Sequence, residues 1–314
     1  MRILFLGAGA VGGYFGGRLA QAGADGTFLV RPPRADKLAR DGLNVASPFG
    51  DFALTPRTVV PGSIDGHYDC VVLTCKSYDL GNAIDSVAPA VGPGSMVLPL
   101  LNGIAHLDAL GRAFGAARVV GGIAHIGATM DAEGTIRHLN RVHRLTFGER
   151  DGTISRRCLD LDTLLAMTPT QHVLSDDILR ALWEKYVMLA SLAGMTCTMR
   201  ANVAEYMRTA AGESIALDLL EECRSIAAAS GYAPRPAELE AIRAGIVDSE
   251  SHMTASMLRD IEAGNRIEAD HVVGDLVRRA TALGLSCPVL RVVHTHLQAY
   301  EARRAADRLP AIAR

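Results

Sequence analysis

The chain has 314 residues, 49% of them hydrophobic, and a formal net charge of -2. At roughly 100–200 residues per domain, this length predicts two domains with enough apolar material for a sizeable core. The near-neutral balance excludes a global basic surface for nucleic acid or an anionic membrane, and no apolar segment reaches the roughly 20 residues that span a bilayer.

Residues 2–6 form a short apolar run rich in β-formers, followed by a glycine cluster and an amphipathic stretch through Leu19 and Ala20. The apolar start is too short for a signal peptide. Further strands are expected at residues 27–30, 69–74, 95–98 and 119–126. Strands alternating with helical patterns predict βαβ units and a mostly parallel sheet buried on both faces. Residues 134–137 and 144–147 alternate in polarity and read as two paired strands, followed by the polar turn Glu149-Arg150-Asp151-Gly152.

From Ser175 onward the pattern is helical. Ser175-Asp176-Asp177 offers a capping residue and first-turn acids to a long apolar helix through Trp183, Val187 and Leu192. Further helices are expected over residues 211–230, 236–247, 268–283 and 289–305, the last two punctuated by Gly284 and Pro288. The fold class is therefore α/β, an N-terminal Rossmann-type parallel-sheet domain followed by an all-helical C-terminal domain. The boundary is set near residue 170, giving domains 1–170 and 171–314, with a frayed tail over residues 303–314.

The first expected strand runs directly into Gly7-Ala8-Gly9-Ala10-Val11-Gly12. This is a GxGxxG pattern between a strand and a helix, the context a dinucleotide site requires. Gly7 permits the tight turn, Gly9 lets a pyrophosphate approach the backbone, and Gly12 allows close helix–strand packing. The helix start then offers unpaired N–H groups and a positive dipole end.

The end of the second strand reads Leu29-Val30-Arg31-Pro32-Pro33-Arg34. It carries no acid to accept from a ribose 2′-hydroxyl. Arg31, with help from Arg34, suits the 2′-phosphate of NADPH, unless this is a solvated basic loop. Two further elements end strands, Thr74-Cys75-Lys76-Ser77 and Leu101-Asn102-Gly103. Lys76 either points at the ligand crevice or is a surface lysine.

The six cysteines are scattered without CxxC spacing, which predicts reduced thiols in a cytoplasmic protein. The histidines show no metal-ligand pattern, and no metal is expected.

Taken in order, these elements resemble the ketopantoate reductase (2-dehydropantoate 2-reductase) family over nearly the whole chain. The resemblance rests on the glycine turn, Arg31, Cys75-Lys76-Ser77, Leu101-Asn102-Gly103, and Gly127 with a following hairpin. It continues through Trp183-Glu184-Lys185, Ala255-Ser256-Met257-Leu258-Arg259-Asp260-Ile261 and Arg266-Ile267-Glu268-Ala269-Asp270. It implies NADPH-dependent reduction of a 2-keto acid, as in pantothenate biosynthesis. It implies Lys185 as general acid, Glu268 as the carboxylate assisting it, and Ser256 as a substrate hydrogen-bonder. It also implies Asn102 beside nicotinamide and substrate, Lys76 on the cofactor side, and Arg31 at the 2′-phosphate. The helical domain of such proteins offers apolar faces, which points to a homodimer.

The family's lysine helix usually carries Asn one and two turns after the lysine. Here Leu189 and Ala193 stand there. Ketopantoate itself is thereby in doubt, and a different, less hydroxylated keto acid is the alternative. A non-catalytic dinucleotide-binding interaction protein is a third reading.

From the residues alone, Lys185 lies on an apolar helix, either snorkelling to solvent or poised in a cleft, where burial would lower its pKa. Glu268 could equally be a first-turn acid of its helix, and Ser256 the cap of a helix over residues 257–263. Arg200, one turn beyond Thr196, is a candidate for a substrate carboxylate or a surface arginine near a helix end.

Overall fold

The chain opens with strand β1 (Arg2–Leu6), helix α1 (Ala10–Gln21), strand β2 (Asp25–Leu29) and helix α2 (Pro32–Asp41). Three short strands follow, β3 (Leu43–Ala46), β4 (Phe52–Leu54) and β5 (Arg57–Val59), then β6 (Tyr68–Leu73), α3 (Leu80–Val87) and β7 (Val91–Pro99). Helix α4 (His106–Phe114) leads to the long strands β8 (Gly121–Met130) and β9 (Ile136–Gly148), then α5 (Arg156–Leu165) and β10 (Gln171–Leu174). These are the elements of a computed structural model that describes residues 1–309. They group as one unit, Met1–Leu101 with His106–Ile178.

The unit contains two sheets. The first has the strand order β5-β2-β1-β6-β7, and every pairing in it is parallel. Its central strands are sealed from solvent, with Ile3, Leu4, Phe28, Cys70, Val71 and Val97 each at 0% exposure. This burial on both faces explains their continuous apolar runs. The glycine turn follows β1, and Thr74 to Lys76 follow β6. Both ligand elements therefore leave the sheet at the carboxyl ends of neighbouring parallel strands, where open α/β sheets bind ligands.

The second sheet, β10-β9-β3-β4 with β8 on β9, differs from expectation. Residues 134–137 and 144–147 do not pair with each other. Residues 136–137 and all of 144–147 lie in the single strand β9, which pairs antiparallel with β8. The polar centre of β9 is accommodated by partners remote in sequence. The Nδ1 atom of His143 shares a 2.8 Å hydrogen bond with the Tyr14 hydroxyl, and that of His138 a 3.0 Å bond with Ser47 Oγ. Strand β10 pairs with β9 in parallel, and Ser175 N donates to Phe147 O at 2.8 Å. Residues 171–178 thus group with the first unit, and the division falls after Ile178 rather than near residue 170.

The second unit is Leu179–Arg314 together with the short segment Asn102–Ala105. It begins within α6 (Ile178–Met199) and continues through α7 (Val203–Met207), α8 (Gly212–Ala229), α9 (Pro236–Ile246), α10 (Ser256–Glu262), α11 (Asp275–Ala282) and α12 (Pro288–Ala305). Among its described residues there is no strand. Gly194 lets α6 lie against Leu219 of α8 and Val293 of α12. The carboxylate of Glu222 receives the Val289 and Leu290 amides at 2.9 and 2.8 Å, closing the start of α12.

The helix expected over residues 268–283 carries a π-helical segment, Asp270–Gly274, before α11. Such widened turns recur at functional sites. The expected frayed tail is helical as far as Ala305, and residues 310–314 lie outside the described residues. No described helix is long and apolar enough to cross a membrane.

Candidate active site

In the first unit the glycine turn is shaped to receive an anion. Gly7 takes a φ of +95° and donates to Leu29 O at 2.9 Å, so β1 turns sharply beside the end of β2. A Cβ on Gly12 would stand 2.4 Å from Gly7 O and 2.5 Å from Thr74 Oγ1, so only glycine fits. Thr74 Oγ1 donates to Leu6 O at 2.8 Å and braces the same corner from β6. Gly9, which caps α1 without a side-chain bond, faces open space, with nothing within 4 Å of where its Cβ would be. Ala10 and Val11 begin α1, whose first amides have no partner within the helix. The pocketed backbone, the open approach at Gly9 and the helix start fit a pyrophosphate.

The arginines after β2 divide their tasks. Arg31 caps α2 and is largely exposed, its guanidinium 3.9 Å from the Asp79 carboxylate. Arg34 is half-buried and donates to Ala8 O at 2.9 Å, which fixes it to the glycine turn. Burial lowers the pKa of its guanidinium. Arg34 thus braces the loop through one guanidinium nitrogen. Lys76 stands just after β6 and caps the short 3₁₀ turn Ser77–Asp79.

In the second unit, Lys185 sits between two anchored neighbours on α6. Before it, the buried Glu184 carboxylate accepts from Arg235 N at 2.9 Å and Arg235 Nε at 2.8 Å, while Trp183 stacks on Tyr232. After it, the Tyr186 hydroxyl donates to His271 O and to Asp275 Oδ2, both at 3.3 Å. The helix cannot roll without breaking one set or the other, so the direction of Lys185 is set by its neighbours.

Burial pushes the Lys185 ammonium down to about 8, and the negative charge of Glu268 works against that shift. Glu268 is 7% exposed and stands at the start of the helix that carries the π-helical segment, its carbonyl accepting from Val272 N at 2.9 Å.

Ser256 is the first residue of α10, and its expected capping role falls to Ala255, which has no side chain to cap with. The Ala255 amide instead donates to Thr196 Oγ1 at 3.4 Å, which ties the start of α10 to α6 about three turns beyond Lys185. The Ser256 hydroxyl is therefore not spent on the helix end.

Arg200 does not join this group. It follows the end of α6 with a left-handed φ of 53°, is exposed, and places its guanidinium 5.5 Å from the centre of the Tyr300 ring. At 1.5 Å rise per residue it lies about 22 Å along the axis from Lys185, beyond the reach of a small keto acid held at both residues.

Asn102 begins the Asn102–Ala105 segment that groups with the helices. It hydrogen-bonds through its backbone to the ring of His271, and the charge of Glu268 also acts on that ring. The second unit therefore brings Lys185, Glu268, Asn102 and His271 into one network. His271 escaped the sequence reading because it has no metal-ligand spacing. Its position one turn after Glu268 was the available signal. Thr74 was also missed as a support of the glycine corner. Among the described residues, no group of three or more His, Cys, Asp or Glu side chains is placed to hold a metal.

Residues 3–152 match the family model for ketopantoate reductase PanE/ApbA, and residues 177–301 match the model for its C-terminal part. The Bacillus subtilis (strain 168) protein named uncharacterized oxidoreductase YkpB is 36% identical over 304 residues, covering 97% of this chain and 100% of that protein. A 2-dehydropantoate 2-reductase of Mesorhizobium japonicum is 27% identical over 295 residues, covering 87% of this chain and 89% of the relative. The crystal structure of a PanE/ApbA family ketopantoate reductase from Ralstonia eutropha JMP134 matches with a TM-score of 0.88 at 27% identity, covering 97% of this chain and 100% of that one.

Proposed function

This chain belongs to the ketopantoate reductase family of oxidoreductases, and from that premise we propose that it reduces a small 2-keto acid to the 2-hydroxy acid with NADPH. The observation that carries the proposal is a lysine with a lowered pKa, held beside Glu268 on a helix anchored on both sides of it. A lysine merely snorkelling to solvent would keep its ordinary pKa.

NADPH, when bound, supplies the hydride. Gly7 to Gly12 would hold its pyrophosphate and Arg31 its 2′-phosphate, with Lys76 assigned to the cofactor side and Asn102 to the neighbourhood of the nicotinamide. Hydride addition at the keto carbon leaves a developing charge on oxygen. Lys185 hydrogen-bonds that oxygen and delivers a proton to it, becoming a neutral amine. Glu268 holds the ammonium in place beforehand. Ser256 is assigned as a hydrogen-bonder of the substrate. The proposal includes a homodimer in the cytoplasm.

The same geometry favours a substrate with fewer hydroxyls than ketopantoate. Leu189 and Ala193 follow Lys185 on the same face of α6, where neither can hydrogen-bond, and Ala193 is fully buried. A substrate hydroxyl held there would be left unpaired.

Purified protein assayed for NADPH oxidation against ketopantoate and a panel of apolar 2-keto acids tests both statements. Turnover of at least one acid is expected, with Lys185→Ala slower by about 100-fold or more. Intact turnover in that variant would end the assignment of Lys185 as the acid. Ketopantoate as the best substrate would end the preference for fewer hydroxyls and would place the reaction in pantothenate biosynthesis.

A further inference from the structure

The Asn102–Ala105 segment belongs to no helix or strand, so contacts from elsewhere in its unit must hold it. One residue supplies them from two directions. Gly103 takes a φ of +72°, and a Cβ on it would stand 3.0 Å from His271 Cδ2, 3.2 Å from Nε2 and 3.3 Å from the His271 carbonyl oxygen. The turn therefore lies flat against both the ring and the backbone of His271. The ring also hydrogen-bonds the Asn102 backbone.

His271 is itself fixed. Its carbonyl accepts from the Tyr186 hydroxyl at 3.3 Å, and Tyr186 is the residue next to Lys185. The π-helical segment that carries it begins two residues after Glu268, and Val272 N donates to Glu268 O at 2.9 Å. The charged groups acting on its ring are Glu268, Asp275 and Arg278.

We propose that His271 is a positioning residue for the reduction: it clamps the Asn102–Gly103 turn against the helix turn that carries Glu268, while Tyr186 ties that same turn to Lys185. The inference rests on the reading that Asn102, Lys185 and Glu268 serve one site. An imidazole suits the task because it is flat enough to lie against glycine and still donates to a backbone carbonyl. Phenylalanine keeps the first property and loses the second. Glutamine keeps a donor.

The test compares His271→Phe, His271→Ala and His271→Gln with the unaltered protein. Amide hydrogen exchange across residues 102–105 needs no substrate. It is expected to quicken about tenfold in His271→Phe and His271→Ala, with α8 exchange unchanged, and to return most of the way in His271→Gln. On the fastest 2-keto acid, kcat is expected to fall about tenfold in His271→Phe with KM for NADPH within about twofold, because a misplaced positioning group costs rate. Unchanged exchange at residues 102–105, or a His271→Gln variant no better than His271→Phe, would show a side chain that only fills space and would overturn the proposal. Lys185→Ala is run in parallel. Full turnover there refutes the shared-site reading, whereas the exchange result judges the clamp on its own.

Discussion

Glu268 raises the pKa of Lys185, burial lowers it, and burial prevails, leaving the ammonium at about 8. A proton donor in ketone reduction must be charged before the hydride arrives. The kcat for reduction is therefore expected to fall as pH rises through about 8, and the reverse oxidation, which needs the neutral amine, is expected to rise through the same region. Glu268→Gln removes the opposing charge, so the alkaline limb moves to lower pH. A kcat profile for reduction run in both proteins checks this, and a limb that moves upward in Glu268→Gln contradicts the pairing.

The same lysine burdens the fold. Its folded pKa, about 8, lies below the ordinary value of 10.5. Between those values the unfolded chain binds more protons, so stability rises with pH across that window, and below it the penalty is present in full. Lys185→Met removes the penalty. It is expected to stabilise the protein near neutral pH by on the order of 1–3 kcal/mol while abolishing turnover. Lys185 keeps some contact with solvent, which places the gain toward the lower end. Urea unfolding at neutral pH and again above pH ~10 reads the effect, which should shrink at the higher pH. Equal stability of the two proteins at neutral pH would mean that the ammonium is solvated rather than buried.

Two glycines of the nucleotide turn separate folding from binding. Gly12→Ala drives a methyl onto Gly7 O and Thr74 Oγ1, both fixed by the β1–β6 corner, and is expected to destabilise by about 2–4 kcal/mol. Gly9→Ala meets nothing in the protein, so its melting temperature should stay within about 2 °C. Its methyl instead occupies the approach assigned to the pyrophosphate, and dinucleotide affinity is expected to fall at least about tenfold. Calorimetric titration beside thermal melts distinguishes the two. Undiminished binding in Gly9→Ala would remove the phosphates from this turn.

Much of this was legible because it is local. The run Ile3 to Leu6, the glycine turn and α1 are adjacent in the chain, and each choice of residue agrees with the next. The long helices α8, α9 and α12 carried their own periodicity and stops. Strands β3, β4 and β10 are hard to read from sequence because each has only three or four residues, and the pair β3–β4 joins its sheet only through β9, far along the chain, as does β10. Strand β9 reads as two segments in the sequence because His138, Asn140, Arg141 and His143 look like a loop, and only Tyr14 and Ser47, remote in sequence, give the histidines partners. Asn102 was visible as a motif residue, but its tie to His271 joins positions remote in sequence, and no pattern along the chain encodes it. Arg200 stands one helical turn beyond Thr196 in the sequence, but the length of α6 and the ring of Tyr300 hold it away from Lys185.

The choice of cofactor turns on Arg31, Arg34 and Asp79. Arg31 is 82% exposed and only loosely paired with Asp79, so it is available to a 2′-phosphate. Arg34 is committed to the Ala8 carbonyl within the glycine turn. Arg31→Ala should therefore weaken NADPH about tenfold and leave NADH within about twofold, because only the phosphate loses a charge-assisted bond. Arg34→Ala should weaken both cofactors alike, since it loosens the turn common to them. Asp79→Asn frees Arg31 and removes a negative charge near the phosphate, which should tighten NADPH by about two- to threefold, more so at low salt. Fluorescence titration of each variant with both cofactors measures all three. Equal weakening of NADH and NADPH by Arg31→Ala would make Arg31 another support of the turn, and the preference for the phosphorylated cofactor would then have no residue to carry it.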